Sequence, residues 1–577
     1  MQSTTKTEAS PQTRSNVTKT VGLVALLTVV SKIAGFARDV IVLQVFGTTA
    51  VADAYNYACL FTSNVLILFG GLGGPFHSAT VSVLTREKDR PEAGLLMGQV
   101  VAVTAALTSF IALAFFLLAP YLVQLVGKDY ASGDPIAHAT FIQQTAEQLR
   151  WMSPLVVISG LIGIVYGILN VFERIFWPSL SPLLASVAII AGVLLFVDPH
   201  NPVALPLSIA TLIGAIAQLL VQLPDLFKCK LPWKFSFKAD PLLKDYLLML
   251  GPACFGTLIG QLTVYIDSSF TGQMPGQGDW TAIMNSNRLV QLPLGILATA
   301  MLVPMLPRFA ELAHKDDAQG IKHDYKKAFQ LLIFLSMPLA ALFVALPEPI
   351  VAVLFKRGNF NIHSVNLVGE ALWWLAPSIM VYLGRDLITR VFYAYKDTRT
   401  PFMVACIAIA VKYILDWFFI TKCHWSVGGI SLATSFITVL NLGLLTLFLR
   451  RRIGRLGTTS MLRPVSVMVL AGIVCGALSS AAFLGWEKTC AFAFTPEREI
   501  VRAESASERF NFRDFRISMM EDPPDSENSR AVHENFISFT SGLCLSAGAG
   551  MLAYLAICMA GRLDEVDMVR RKLLSRS

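Results

Sequence analysis

The stretch SKIAGFARDVIVLQVFGTTAVAD, residues 31–53, decides the fold. It is the end of a long apolar segment and the turn after it, yet it carries Lys32, Arg38 and Asp39. A charged side chain near the centre of a bilayer costs on the order of 3 kcal/mol, so such charges persist where they face water or one another. We therefore expect the rest of the chain to form a helical wall around a hydrated interior.

The composition is that of a protein that crosses a membrane many times. Of 577 residues, 54% are hydrophobic and 15% are charged, and the mean hydropathy is +0.59. A soluble domain usually carries about 25% charged residues, so a large soluble core is excluded. The net charge of +8 is typical of basic cytoplasmic loops, and no aromatic-interleaved basic patch points to nucleic acid.

Apolar segments of membrane-spanning length predict an all-α polytopic membrane protein with about fourteen transmembrane helices. Two six-helix lobes around a central cavity, followed by a C-terminal helix pair, would be a common transporter plan. The predicted parts are a disordered cytoplasmic tail (1–19), an N-terminal lobe (20–228), a C-terminal lobe (229–455), the terminal pair (456–561) with a polar external insert (486–535), and a basic cytoplasmic tail (562–577).

Basic residues predict the orientation of these helices. Lys and Arg cluster in alternate loops, such as 86–90, 228–238 and 450–455, whereas the loops at 46–50 and 198–202 are poor in them. The positive-inside rule then places both termini in the cytoplasm, and an even number of helices agrees with this.

The charges of the opening stretch are the first candidate site. Lys32 and Asp39 are two helical turns apart and share a face at a separation of about 10 Å, and Arg38 points a quarter-turn away. A cationic wall for an anionic substrate group is one interpretation, and a structural ion pair or snorkelling of the basic side chains is the other. Asp53 opens the second helix, where it serves as a cap or in gating.

Two later segments carry further intramembrane polar residues. Asn285, Arg288 and Gln291 line one helix face, with Asn287 beside them. Arginine suits phosphate through bidentate hydrogen bonds, and a polar helix–helix contact is the alternative. In LGRDLITR, Asp386 and Arg390 have the spacing of an ion pair, which leaves Arg385 to face the cavity.

The sequence shows no catalytic or cofactor motif. GxSxG, HExxH and Walker patterns are missing, and the nine cysteines have no metal-ligand spacing. We therefore predict neither an enzyme nor a bound cofactor or metal.

Three motifs in order resemble one family. SKIAGFARDVIVLQVFGTTAVADAYNYA, NRLVQLPLGILATAMLVPMLPRFA and RDLITRVFYAYKDTRTP are similar to segments of the MurJ/MviN lipid II flippases, in the multidrug/oligosaccharidyl-lipid/polysaccharide exporter superfamily. The resemblance covers roughly residues 20–485 and 536–561. It implies fourteen helices, with a groove for the lipid tail at the terminal pair. It also implies flipping of undecaprenyl-pyrophosphate-linked disaccharide-pentapeptide to the outer leaflet for peptidoglycan synthesis.

The resemblance also assigns roles to individual residues. By position, Lys32, Arg38 and Arg288 are expected to meet the pyrophosphate, and Asp53 matches an acidic residue of the family. The residues expected to line the cavity or to act in gating are Asp39, Asp53, Asn285, Asn287, Gln291 and Arg385. The expected partners are lipid II, membrane lipids and cell-wall synthesis proteins.

This chain departs from the family pattern in places. Leu66, Ile67 and Gly71 stand where many members have arginines and a glutamate, and Asn287 and Gln291 stand at acidic positions. The polar insert is foreign to the family. Two alternative functions therefore stay open. The protein could be an exporter of another lipid-linked glycan or solute, or a non-transporting scaffold for cell-wall enzymes.

Overall fold

A computed structural model describes residues 11–70, 74–87, 93–131, 133–231, 241–302, 304–456, 458–494, 529–563 and 565–566. Every long regular element in those ranges is a helix. The chain forms two compact units. The first unit runs to Phe46 and from Ala50 to Tyr265, and the second holds Gly47–Thr49 and the chain from Ile266 onward.

The first unit contains ten helices, the last of which ends beyond its boundary. They are α1 (Pro11–Phe46), α2 (Ala50–Gly70), α3 (Pro75–Glu87), α4 (Ala93–Gly127), α5 (Pro135–Met152), α6 (Leu155–Val171), α7 (Phe176–Phe196), α8 (Leu205–Leu220), α9 (Leu223–Lys228) and α10 (Pro241–Thr271).

The second unit continues with ten helices. They are α11 (Asp279–Leu297), α12 (Met305–His314), α13 (Ala318–Ala345), α14 (Pro347–Phe355), α15 (Ile362–Leu375), α16 (Ser378–Ala394), α17 (Arg399–Trp417), α18 (Val427–Ile453), α19 (Thr458–Phe494) and α20 (Ser529–Ala560). Short π-helical segments extend α11 over Ala298–Leu302 and α17 over Phe418–Lys422.

The all-α polytopic membrane fold is confirmed. Nine helical stretches in the described ranges are long and apolar enough to cross a membrane, and the pair α15–α16, bent by 48°, makes a tenth. Helices α1, α2, α10 and α11 are not among them. These four helices carry Arg38, Asp53, Asp267 and Arg288, respectively. The number of fourteen transmembrane helices stays a prediction.

Three predicted boundaries differ from the structure. The units divide within α10, after Tyr265, rather than at residue 229, and the terminal pair belongs to the second unit. Helix α1 begins at Pro11, so residues 11–19 are helical rather than disordered. Helices α19 and α20 likewise continue into both ends of the predicted insert, and residues 495–528 lie outside the described ranges. Extension of an existing helix costs little compared with nucleation, which is why polar ends continue the helices.

Helix α1 is positioned by its packing on α7. Val45 and Phe46 share a buried apolar cluster with Ile189 and Val193 of α7. Helix α7 in turn approaches α8 closely, because a Cβ placed on Gly192 would overlap the methyl group of Ala210. Small residues at such a crossing let two membrane helices pack at short range.

The substitution Gly192→Val should therefore destabilise the first unit. Overpacking a tight contact typically costs about 1–3 kcal/mol, so we expect a lower midpoint of thermal unfolding in detergent. Gly443→Val is the matched control, because a Cβ at Gly443 meets no atom within 4 Å. Equal midpoints for the two variants would contradict the close α7–α8 contact.

Candidate functional site

The first candidate cation, Arg38 of α1, is bound to its neighbour Asp39. Nε and Nη2 of Arg38 donate to Oδ1 of Asp39 at 3.1 and 2.8 Å. The Arg38 side chain is 30% exposed and that of Asp39 is 12% exposed. A guanidinium has five N–H donors, and in the described part of the chain the other three meet no acceptor. The ion pair therefore neutralises Arg38 and still leaves donors for an anion.

Polar groups of α2 and α8 adjoin this pair. Tyr55 of α2 is an electrostatic neighbour of Arg38, and its hydroxyl lies 2.9 Å from Oγ1 of Thr211 on α8. Lys32, also on α1, is exposed. The structure thus places Arg38 and Asp39 together, and a shared role with Lys32 stays a prediction.

Asp53 lies in a buried environment that the sequence did not indicate. It occupies the first turn of α2 and is fully buried. The hydroxyl of Tyr130 donates to Oδ2 of Asp53 at 3.1 Å, and the Tyr130 ring stacks on Phe141 with centroids 3.8 Å apart. The position fits a carboxylate at a helix N-terminus, and a gating role stays a prediction.

In the second unit, Arg288 is oriented by an amide on its own helix. Its Nη1 donates to Oδ1 of Asn285 at 3.3 Å, and Nδ2 of Asn285 donates to the Thr281 carbonyl at 2.7 Å. Asn285 is buried, whereas Gln291 two turns away from it is exposed. The i, i+3 spacing thus brings Asn285 and Arg288 into contact, and Gln291 lies at the exposed end of the stripe.

The neighbouring residue Asn287 has a different partner. Its Nδ2 donates to the Ile283 carbonyl at 3.1 Å, one helical turn back. This backbone contact holds the amide on α11 itself, and a role in the cavity stays a prediction.

The predicted pairing of Asp386 with Arg390 is wrong. Nε and Nη2 of Arg385 donate to Oδ1 of Asp386 at 3.2 and 2.8 Å, and the guanidinium carbon lies 4.1 Å from the Tyr382 ring centroid. The long arginine side chain folds back onto the adjacent carboxylate, as in the Arg38–Asp39 pair. Arg385 is therefore not the freer cation of its segment, and its role in a cavity stays a prediction.

Sequence reasoning missed a buried charge cluster in the second unit. Lys412 of α17 forms ion pairs with Asp267 of α10 and Asp416 of α17. Lys412 and Asp416 are four residues apart in an apolar segment, so the rule that identified Arg38 and Asp39 applied to them equally.

The fold is similar to that of solved membrane transporters. A structure of lipid II flippase MurJ in an inward closed conformation aligns with 96% of this chain and 99% of its own, at a TM-score of 0.70 and 20% identity. An inward-facing multidrug resistance MATE family transporter of the MOP superfamily aligns with 76% of this chain and 99% of its own, at 0.59 and 15%. The chain thus has a fold similar to those of both solved transporters.

Sequence comparison gives the family. The family described as lipid II flippase MurJ matches residues 42–496. A probable lipid II flippase MurJ from Synechocystis sp. is 31% identical over 479 residues, 81% of this chain and 86% of the relative. The lipid II flippase MurJ of Burkholderia cenocepacia is 26% identical over 454 residues, 76% of this chain and 84% of the relative. The chain belongs to the lipid II flippase MurJ family.

Removal of the Tyr130 hydroxyl should lower the stability of the folded protein, because the buried Asp53 carboxylate then loses a hydrogen bond. A hydrogen bond to a charged group is worth about 1.5–3 kcal/mol, so Tyr130→Phe should lower the midpoint of thermal unfolding in detergent. Tyr121→Phe is the control, since Tyr121 is 72% exposed. If both variants unfold at the wild-type temperature, the Tyr130–Asp53 bond is not a stabilising contact.

Proposed function

We propose that this protein moves lipid II, the undecaprenyl-pyrophosphate-linked disaccharide-pentapeptide, from the inner to the outer leaflet of a bacterial inner membrane by alternating access. The movement supplies peptidoglycan synthesis and leaves the lipid chemically unchanged. Membership of the MurJ family over residues 42–496 supports this function. The observation that carries it is Arg38, a cation within a membrane helix whose ion pair leaves three N–H donors unused among the described residues.

The chemistry of the proposed site matches a pyrophosphate group. Arginine binds phosphate oxygens through parallel N–H donors, and these charge-assisted bonds strengthen where water is scarce. We assign Arg38, Arg288 and Lys32 to the pyrophosphate. Asp39 limits the free charge beside Arg38, and Asn285 fixes the direction of the Arg288 guanidinium through its amide oxygen.

The remaining polar residues are assigned to the path or its gates. These are Asp53, Asn287, Gln291 and Arg385. The basic loops support a topology with both termini in the cytoplasm. Membrane lipids would surround the helices, and cell-wall synthesis proteins are proposed as further partners because they use the flipped lipid.

Replacement of either Arg38 or Arg288 should abolish the proposed flippase activity in cells. We expect Arg38→Ala and Arg288→Ala each to fail to restore growth of a flippase-depleted strain, because each removes donors to the pyrophosphate. Membrane levels of each variant must equal those of the wild type. Arg399→Ala is the control, since Arg399 is exposed at the start of α17. Full growth with both variants would contradict the assignment and favour the scaffold alternative, which tolerates neutral residues there.

Purified protein in vesicles tests the substrate directly. We expect translocation of lipid II by the wild type and at least tenfold slower translocation by Arg38→Ala, which corresponds to about 1.4 kcal/mol in the limiting barrier. The assay is run with and without a membrane potential. Translocation of a different lipid-linked glycan, with none of lipid II, would overturn the proposed substrate and favour the exporter alternative.

A further inference from the structure

The second unit buries three charged side chains that the proposed pyrophosphate site does not use. Lys412 and Asp416 on α17 have fully buried side chains, and the Asp267 side chain near the end of α10 is 12% exposed. Burial of an ionised group costs several kcal/mol unless an opposite charge and hydrogen bonds compensate it. We call these three residues the buried triad.

The ammonium group of Lys412 lies at the centre of the buried triad. Its Nζ is 2.6 Å from Oδ1 of Asp267 and 3.2 Å from Oδ2 of Asp416. It also donates to Oγ1 of Thr434 on α18 at 3.0 Å, while Thr434 donates its own proton to the Ile430 carbonyl. An ammonium has three N–H donors, and this one also donates to Oδ1 of Asp416 at 3.4 Å.

The charges of the buried triad do not balance. One ammonium faces two carboxyl groups, which leaves one negative charge when all three are ionised. Within the described ranges, neither Asp267 nor Asp416 forms an ion pair with a cation other than Lys412. Lys422 after α17 lies 5.4 Å from the Trp417 ring centroid, and Arg385 of α16 is paired with Asp386.

Tyr413 and the basic residues of α18 do not change the charge balance of the buried triad. Tyr413 of α17 is 55% exposed and its ring packs on Phe270. The basic residues of α18 lie in its last turn, about four turns beyond Thr434.

The two carboxyl groups of the buried triad lie against the same ammonium, with Oδ1 of Asp267 and Oδ2 of Asp416 at 2.6 and 3.2 Å from the Lys412 Nζ atom. Oδ1 of Asp267 and Oδ2 of Asp416 are buried and accept no aligned hydrogen bond, although each lies near Nζ. Two buried carboxylates at this range cannot both stay ionised at low cost, and a proton shared between them removes the excess charge. It would also give an orphaned oxygen a donor.

We propose that the buried triad is a proton-binding site, in which one proton is shared between Asp267 and Asp416. A hydronium ion supplies the proton and leaves water: one of its O–H bonds breaks, one O–H bond forms at a carboxyl oxygen, and the triad changes from one negative charge to neutral. Because Asp267 lies on α10 and its partners lie on α17, protonation alters the attraction between these helices. The site would bind its proton whichever lipid the protein moves.

A metal cation fits this position less well than a proton. The Lys412 ammonium already contacts both carboxyl groups, and a second cation there would be repelled at a few ångströms. No set of three or more His, Cys, Asp or Glu side chains in the described ranges could hold a metal ion.

Infrared difference spectroscopy of the purified protein in lipid nanodiscs tests the site without any transport assay. On raising the pH, the wild type should lose a carbonyl-stretch band of a protonated carboxyl group, and this band should shift in deuterated water. Asp267→Asn and Asp416→Asn should each lack the band, since one carboxylate then balances Lys412. Asp198→Asn, at an exposed residue after α7, should keep it.

A charge-altering variant makes the test independent of the two Asn variants. Lys412→Met removes the ammonium that favours the ionised form, so the band should persist to a pH about one unit or more higher, a tenfold tighter binding of the proton. Thermal unfolding confirms that each compared variant is folded. A band that survives both Asp→Asn substitutions, or no band at any pH, would overturn the proposal. Displacement of the band by sodium chloride but not by choline chloride would show a metal-cation site instead.

Discussion

A charge placed among apolar helices must meet an opposite charge or a strong hydrogen-bond partner close by, and this requirement organises the polar part of the molecule. The Arg38–Asp39 and Arg385–Asp386 pairs meet it between adjacent residues with nearly the same geometry. In both, Nε and Nη2 converge on one carboxylate oxygen, with the shorter contact at 2.8 Å. The buried triad meets it between two helices instead. Each arrangement keeps a cation in the helical bundle without leaving it uncompensated.

The arginine pairs and the buried triad differ in the number of N–H donors that they leave available to a ligand. An arginine that uses two donors on one carboxylate oxygen keeps a second edge for another anion. Lys412 has a carboxylate or hydroxyl oxygen for each of its three donors, and it is fully buried. The arginine pairs therefore suit an exchangeable, large anionic ligand. The buried triad suits only a species that needs no further space, and a proton is the smallest of these.

Local spacing made part of this site predictable. The contact of Asn285 with Arg288 follows from i, i+3 geometry on one helix, and the structure contains it. The same kind of rule failed at Asp386, because an arginine side chain is long enough to reach the adjacent carboxylate. The bond to Asp53 of α2 comes from Tyr130 in the turn between α4 and α5, and the ion pair of Asp267 with Lys412 joins two helices. Periodicity in one segment carries no information on such distant partners. Helix class was predictable because hydropathy is a local property, whereas the unit boundary within α10 depends on tertiary packing.

The charge balance of α1 bears on the proposed pyrophosphate site, in which a neutralised arginine would still attract an anion. From Ser31 to the end of the helix the sequence has two cations, Lys32 and Arg38, and one carboxylate, Asp39. The ion pair removes the cost of holding Arg38 among apolar neighbours, and one positive charge remains on the same helix. An arriving phosphate then meets a positive field without having to break the Arg38–Asp39 pair first. A helix with two unpaired cations would bind the phosphate more strongly but would be harder to keep in the membrane when the site is empty. Under the proposed function, the neighbouring carboxylate thus allows Arg38 to persist through the part of the cycle in which no substrate is bound.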